Sequence, residues 1–407
     1  SVSAGWRVSE EKFAQGIKPV VNDLKLRSSY GSIGNQNVAN YIYVPSYGTI
    51  TLVQQLFAGI RPVGITPPGL VDPNITWETA STLDFGFDAS VLRKLDLSFD
   101  WYKRTTEDIL VDGSRLPAVL GASSPTQNSG ALSTKGWEFS AKWRNRTSYG
   151  LNYDIGFVLS DYQTQIVKFD GNPNRLLSTL YAGQKMGEIW GYETGGIFQS
   201  QDEISKAPSQ KQIYSGLQYP GDIRYADLNG DNLISTGSNT VADPGDRKII
   251  GNSTPRFQFG LNSNFSWKGF DMNIFFQGVG KRDVWVSDNL FWGAIAGGTG
   301  TREVYENSWT PERTTAFYPA YRSASQNIQV QSRYLQNAAY IRLKNCTLGY
   351  SFPNRIVEHI GMQKLRLYVA GYNLWQYSKV PQVFDPEVLS ANYPMIKSIA
   401  FGLQTNF

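Results

Sequence analysis

Thr82-Leu-Asp-Phe-Gly-Phe-Asp-Ala-Ser-Val91, then Leu92-Arg-Lys94, then Leu95-Asp-Leu-Ser-Phe-Asp-Trp101 decides the fold when read two residues at a time. Leu83, Phe85, Phe87, Ala89 and Val91 take the odd positions, and Asp84, Gly86, Asp88 and Ser90 lie between them. After a three-residue break the alternation resumes, with Leu95, Leu97, Phe99 and Trp101 apart from Asp96, Ser98 and Asp100. Successive side chains of a strand point to opposite faces, so this period predicts two strands with one apolar and one wet face. A one-residue slip would put carboxylates among the aromatic rings, so the register is strongly specified.

The same alternation recurs in Trp137, Phe139, Ala141 and Trp143, and in Leu151, Tyr153, Ile155, Phe157 and Leu159. Phe257, Phe259, Leu261, Phe265 and Trp267 repeat it, and Lys268-Gly269 turns the chain into Phe270, Met272, Ile274 and Phe276. Each run has about the 9–11 residues that a tilted strand needs to cross a bilayer. Roughly a dozen candidate strands are expected, too few to say that a large barrel closes within this chain. The turns expected at 92–94, 144–148 and 268–269 are short, while the segments 104–132, 161–255 and 281–338 are long. Sorting of this kind is expected of a transmembrane barrel, with tight periplasmic turns and extended extracellular loops. The segment 161–255 is long enough to contain strands of its own.

Composition agrees. Among 407 residues there are 11 Trp, 23 Tyr and 21 Phe, which suits aromatic belts at membrane interfaces. No apolar run approaches the roughly 20 residues of a spanning helix. The mean hydropathy of −0.33 is compatible with a barrel, because every second residue faces water. A net charge of +4 makes no case for nucleic acid. The only cysteine, Cys346, rules out an internal disulfide scaffold. The stretch starting at Ser1 reads as a strand, without a signal peptide, and implies a longer protein.

At the other end, Ile399, Phe401, Leu403 and Phe407 share one face with Thr405, and Ala400, Gly402, Gln404 and Asn406 share the other. An amphipathic last strand ending in Phe looks like the signal read by the outer-membrane insertion machinery. Several further stretches carry a resemblance. They are Leu24-Lys-Leu-Arg-Ser-Ser-Tyr-Gly-Ser-Ile-Gly-Asn-Gln36, Ile75-Thr-Trp-Glu78, Lys135-Gly-Trp-Glu-Phe139, Tyr340-Ile-Arg-Leu-Lys-Asn-Cys-Thr-Leu-Gly-Tyr350, Tyr372-Asn-Leu-Trp375 and Phe384-Asp-Pro-Glu387. In this order, over nearly the full chain, they resemble the SusC/RagA-like TonB-dependent outer-membrane transporters of Bacteroidota. The resemblance implies that 1–407 is the later portion of one antiparallel transmembrane barrel, with plug and TonB-contacting segment upstream. It also implies active import of oligosaccharides or peptides, with a SusD-like surface lipoprotein as partner and TonB as the source of energy.

One motif points to metal chemistry. Asp227-Leu-Asn229-Gly-Asp231 sets side-chain oxygens at positions 1, 3 and 5 of a tight loop, and the carbonyl of Leu233 would fall at position 7, as in EF-hand cages. Asn232 stands where an EF-hand has glycine, and Ser238 where it has a bidentate carboxylate; Asp243 or Asp246 could supply the latter. The expectation is Ca²⁺, or Mg²⁺, in an external loop. The alternative is a turn whose side chains cap their own backbone.

Catalytic constellations are absent from the pattern. The single histidine, His359, excludes multi-histidine zinc sites and falls on the short-turn side, away from the loops. Cys346 reads as a packing residue in a strand. Gly297-Gly-Thr-Gly300 lacks the lysine of a phosphate loop. No enzyme activity is expected. In 281–338, Trp285, Trp292 and Trp309 are candidates for stacking on a sugar, or for packing the loop. The competing readings are a plugless structural, adhesive or porin-type barrel and a soluble glycan-binding β-protein. Polar-face residues such as Asp84, Asp88, Asp96, Asp100, Glu138 and Lys142 mix both charges, so selectivity is not legible.

Overall fold

The turn after Val91 sets the geometry of the first hairpin. Leu92 and Arg93 both lie in the left-handed region (φ 53° and 54°), and Lys94 N donates to Val91 O at 3.0 Å. Lys268 and Gly269 repeat this with φ 47° and 88°, between the paired Trp267 and Phe270. Turns of this hand match the right-handed twist of the strands they join.

The computed structural model describes residues 1–407 except 37–40, 51–54, 57, 114–115, 360, 390–392, 394 and 407. One antiparallel sheet of 11 strands dominates it. The strands are β1 (Val2–Arg7), β2 (Val21–Asn35), β3 (Glu78–Val91), β4 (Leu95–Asp112), β5 (Thr126–Arg146) and β6 (Asn152–Phe169). They continue with β7 (Arg256–Trp267), β8 (Phe270–Lys281), β9 (Tyr340–Ser351), β10 (Lys364–Ser378) and β11 (Ser398–Asn406). Order in the sheet follows order in the chain, with β1 and β11 at the edges. Residue Phe407, expected at the end of the last strand, lies outside the described residues.

Pairing carries the alternation from strand to strand. Phe85 faces Trp101, which faces Trp137, and Phe87 faces Phe99, which faces Phe139. Their rings stack, with centroids 6.3 Å apart for Phe85–Trp101 and 5.9 Å for Phe87–Phe99. Phe401 and Leu403 of β11 sit opposite Val369 and Leu367, and Phe401 is 85% exposed. Among the described residues no second large sheet is present, and this face presents exposed apolar side chains, Phe85, Phe401 and Leu403 among them, as a wall that meets lipid does. The opposite face is stitched by polar pairs. Arg27 Nε lies 2.8 Å from Asp88 and its Nη1 2.9 Å from Asp100. Asn264 donates to Asp154 at 2.9 Å, and Arg366 Nε to Asp271 at 2.8 Å.

Connections fall into two sets. The segments 8–20, 92–94, 147–151, 268–269 and 352–363 lie at one end of the sheet; 36–77, 113–125, 170–255, 282–339 and 379–397 lie at the other. The strands exceed the 9–11 residues expected from periodicity: β4 and β6 have 18 and β5 has 21. The connection expected at 104–132 therefore shrinks to 113–125. Beyond Tyr102 the chain reads Lys103-Arg-Thr-Thr-Glu-Asp108. A strand wet on both faces shows no period of two, so the alternation could not find it. At about 3.3 Å per residue, β5 is roughly 70 Å long; even tilted it rises well past an apolar band about 25 Å tall.

The face assignment is testable. Phe99→Lys is expected to destabilise the barrel by about 2–4 kcal/mol in vesicles, and Ser98→Lys, one residue away on the polar face, by far less. Urea titration followed by tryptophan fluorescence reads both.

Candidate functional site

A single sheet wetted on one side has little interior, and most of the buried hydrophobic residues lie beyond its long-connection end. Tyr192, Ile197, Ile223, Tyr225 and Ile234 come from 170–255, Val286, Phe291, Trp292, Trp309, Tyr318 and Tyr334 from 282–339, and Val380 and Phe384 from 379–397. Three connections thus fold together into one assembly with a core of its own.

Trp292 lies at its centre. Asp288 caps the short helix Asn289–Trp292 by accepting from Leu290 N at 2.8 Å, and Gly293 ends it at φ 56°. The Trp292 ring meets Tyr334 at 4.8 Å, Phe291 at 5.1 Å and Trp285 at 5.5 Å, and its Nε1 donates to Val286 O at 2.8 Å. With 1% exposure, Trp292 is a packing residue, and the expected contact with substrate does not fit it. Trp309 is nearly as buried and donates to Gln199 Oε1 at 2.9 Å. Trp285 is half-buried against the same core. An indole in a loop carries no sign of whether it faces solvent or core, so sequence could not separate these roles.

Polar side chains lock the three connections together. Asp222, fully buried, accepts from Arg322, from Asn327 Nδ2 at 2.9 Å, from Gln326 Nε2 at 3.2 Å and from Tyr219 N at 2.9 Å. Its charge is tolerated because a guanidinium and three further donors surround it. Arg342 of β9, 1% exposed, reaches Asp385 at 2.7 Å and Glu387 at 2.6 Å, and Lys344 joins Glu387 at 2.9 Å. The stretch Phe384-Asp-Pro-Glu387 is thus an anchor that holds 379–397 to the wall. Burial works to raise the Asp385 carboxyl, but the N–H groups of Glu387 and Met395 and the Arg342 guanidinium outweigh it and hold it below the usual 3.8. Arg342 and Asp385 stand within stretches that carry the family resemblance, but the sequence assigns no role to them or to Asp222, since nothing near them in the chain announces a partner 45 or 100 residues away.

The acidic turn keeps its side chains to itself. Asp227 accepts from Gly230 N at 2.7 Å and Asn232 N at 2.9 Å, Asn229 from Asp231 N at 3.0 Å, and Asp231 from Leu233 N at 2.8 Å. Asn232 adopts φ 61°, the left-handed conformation the motif demanded of it. Asp246 is buried and staples the ends of the turn, accepting from Leu228 N and Ser235 N at 2.8 Å each. Asp243 instead caps Ser238, accepting from its N at 2.7 Å and its Oγ at 2.6 Å; those bonds hold its carboxyl below the usual value. Among the described residues no three His, Cys, Asp or Glu side chains gather as a metal-holding group. On the short-connection side, exposed His359 pairs through Nδ1 with Arg355 O at 2.7 Å, remote from the loop assembly. Cys346 is half-buried in β9 opposite Ile274 and Gly371.

A family model described as TonB dependent receptor-like, beta-barrel matches residues 1–374. TonB-dependent receptor P3 of Formosa agariphila is 32% identical, over 100% of this chain and 41% of that protein. TonB-dependent receptor SusC of Bacteroides thetaiotaomicron is 27% identical, over 100% of this chain and 40% of that protein. A solved structure of the RagAB peptide importer in the open-open state superposes with a TM-score of 0.78 at 23% identity, over 100% of this chain and 42% of that one. The fold is shared with that structure, and the chain spans about two fifths of the length of the curated relatives it matches.

Two outcomes follow from the locks. Asp222→Ala leaves Arg322 and three amides without their acceptor and is expected to weaken the loop assembly by about 3–5 kcal/mol; limited proteolysis should then cut within 170–255 and 282–339 while the strands stay protected. Because the folded Asp385 carboxyl titrates below 3.8, its stabilisation is complete above that pH and lost as pH falls through the folded value. The hydrogen-exchange protection of 379–397, taken relative to the intrinsic amide rate at each pH, should be constant from about pH 8 to 5 and fall only in stronger acid, whereas Asp385→Asn should lower it at neutral pH.

Proposed function

This chain belongs to the TonB dependent receptor-like β-barrel family, proteins of the outer membrane, and we propose that it forms the later wall and outer loops of a nutrient importer of the SusC/RagA type. The observation that carries this reading is the division of the sheet: an apolar face for lipid, an ion-paired face for a water-filled interior, and a folded loop assembly at one end. A wall so built separates lipid from solute and offers a shaped surface above the opening. In this reading the rest of the barrel, the plug and the TonB-contacting segment belong to other parts of a longer protein. A SusD-like surface lipoprotein covers the loop assembly, and the cargo is an oligosaccharide or a peptide. The protein performs no chemistry on its cargo.

The test is uptake of labelled oligosaccharides and peptides by cells carrying the full-length protein, with and without TonB. Loss of uptake without TonB, and recovery of a lipoprotein with the purified barrel, are the expected results. Uptake or conductance that persists without TonB would favour the passive porin instead. The acidic turn adds a smaller proposal. Each oxygen of Asp227, Asn229 and Asp231 that accepts one N–H keeps a second lone pair, and a Ca²⁺ ion drawn there would stiffen the outer loop. Calorimetry should then record Ca²⁺ heat that Asp231→Ala abolishes; no heat from the unaltered protein removes the ion.

A further inference from the structure

Cross-strand pairing lays out the polar face in rows. Thr82, Arg104, Thr134 and Thr164 form one row, and Asp84, Tyr102, Gly136 and Tyr162 the row beneath it. Gly136 makes the second row possible. A β-carbon there would lie 2.9 Å from Tyr162 Cβ and against the Tyr102 ring, so only glycine lets the two phenols stand on either side of it. Above them Thr134 and Thr164 share a hydroxyl hydrogen bond of 2.8 Å. Thr82, Tyr102, Arg104, Thr134, Tyr162 and Thr164 line a cavity of about 460 Å³.

Arg27, Lys142, Arg144 and Arg366 on this face are each paired with a carboxylate, whereas among the described residues the side chain of Arg104, like those of Lys25 and Arg146, makes no ion pair; of these three, Arg104 lines the cavity. A guanidinium aimed into a half-enclosed cavity offers a planar fork for a carboxylate or sulfate. The remaining lining narrows the ligand. The sheet's own amides are engaged in its ladders, so an incoming peptide backbone finds no edge to pair with. Hydroxyls and phenol faces instead match a pyranose, which alternates hydroxyl edges with apolar C–H faces.

We propose that this cavity is a subsite for an anionic sugar ring, its carboxylate or sulfate on Arg104 and its apolar face against Tyr102 and Tyr162. The proposal rests on the importer reading only in that solute reaches the polar face. It is therefore tested by binding and not by uptake, so that its failure and the failure of TonB-dependent import remain separate results. Full-length protein in detergent is titrated with tetragalacturonate, a sulfated carrageenan tetrasaccharide, maltotetraose and tetraglutamate. At least one anionic saccharide is expected to bind, about tenfold more weakly in high salt. Arg104→Gln should weaken that binding about tenfold, Arg104→Lys should weaken it less, and affinity for maltotetraose should not change. Gly136→Ala should weaken it too; if that variant does not fold, the exposed Arg104 variants still decide. Binding of neither anionic saccharide, unchanged binding in Arg104→Gln, or binding of tetraglutamate alone overturns the proposal.

Discussion

In hydrocarbon a peptide N–H or C=O without a partner is penalised by several kcal/mol, and no water is available to supply one. That constraint organises the whole chain. It is met here by antiparallel ladders in chain order, each strand between the two edges bonding to the neighbours that precede and follow it. Once the backbone is committed in this way, only the side chains can distinguish lipid from water, and they do so by alternation. The aromatic rows around Phe87, Phe99 and Phe139 and the polar rows around Arg27, Asp88 and Asp100 are two consequences of one pairing register.

A soluble protein would bury its largest apolar residues beneath such a sheet. Here they are found beyond it, where 170–255, 282–339 and 379–397 enclose Trp292, Tyr334, Ile223 and Ile234. Buried charges hold these segments to each other and to the wall. The Asp222 cluster links two connections, and the Arg342 cluster fixes the third to β9. The three segments therefore form a packed body standing on a membrane wall.

The wall was legible in the sequence and the body above it was not. A strand with one lipid face and one wet face writes its register in alternate residues, so Leu83 to Trp101 sufficed to place most of β3, its turn and the first part of β4. Where both faces are wet, as beyond Tyr102, the signal vanishes and the strand ends were set too early. The loop assembly depends on contacts between segments far apart in the chain, and Trp292 or Asp222 looks the same in sequence whether it faces solvent or core. The acidic turn was legible in its backbone, where Asn232 does take the left-handed conformation. The assignment of Asp246 was not, because its role as a staple is visible only when Leu228 and Ser235 are brought to it.

The neighbour-by-neighbour order of the sheet also bears on how the protein assembles. Hairpins such as β3–β4 and β7–β8 close over a few residues, so their loop entropy is small and they can form early. The ties of the outer body are different: Asn327 reaches Asp222 across 105 positions, and Gln331 reaches Tyr225 across 106. The two connections that make these ties spring from adjacent hairpins, since β6 pairs with β7 and β8 with β9. Once those strands are zipped, the roots of the loops are already neighbours, and most of the closure entropy has been spent by the wall. The membrane sheet thus acts as a template on which the loop body condenses last, and damage to the wall would surface first as misassembly of those loops.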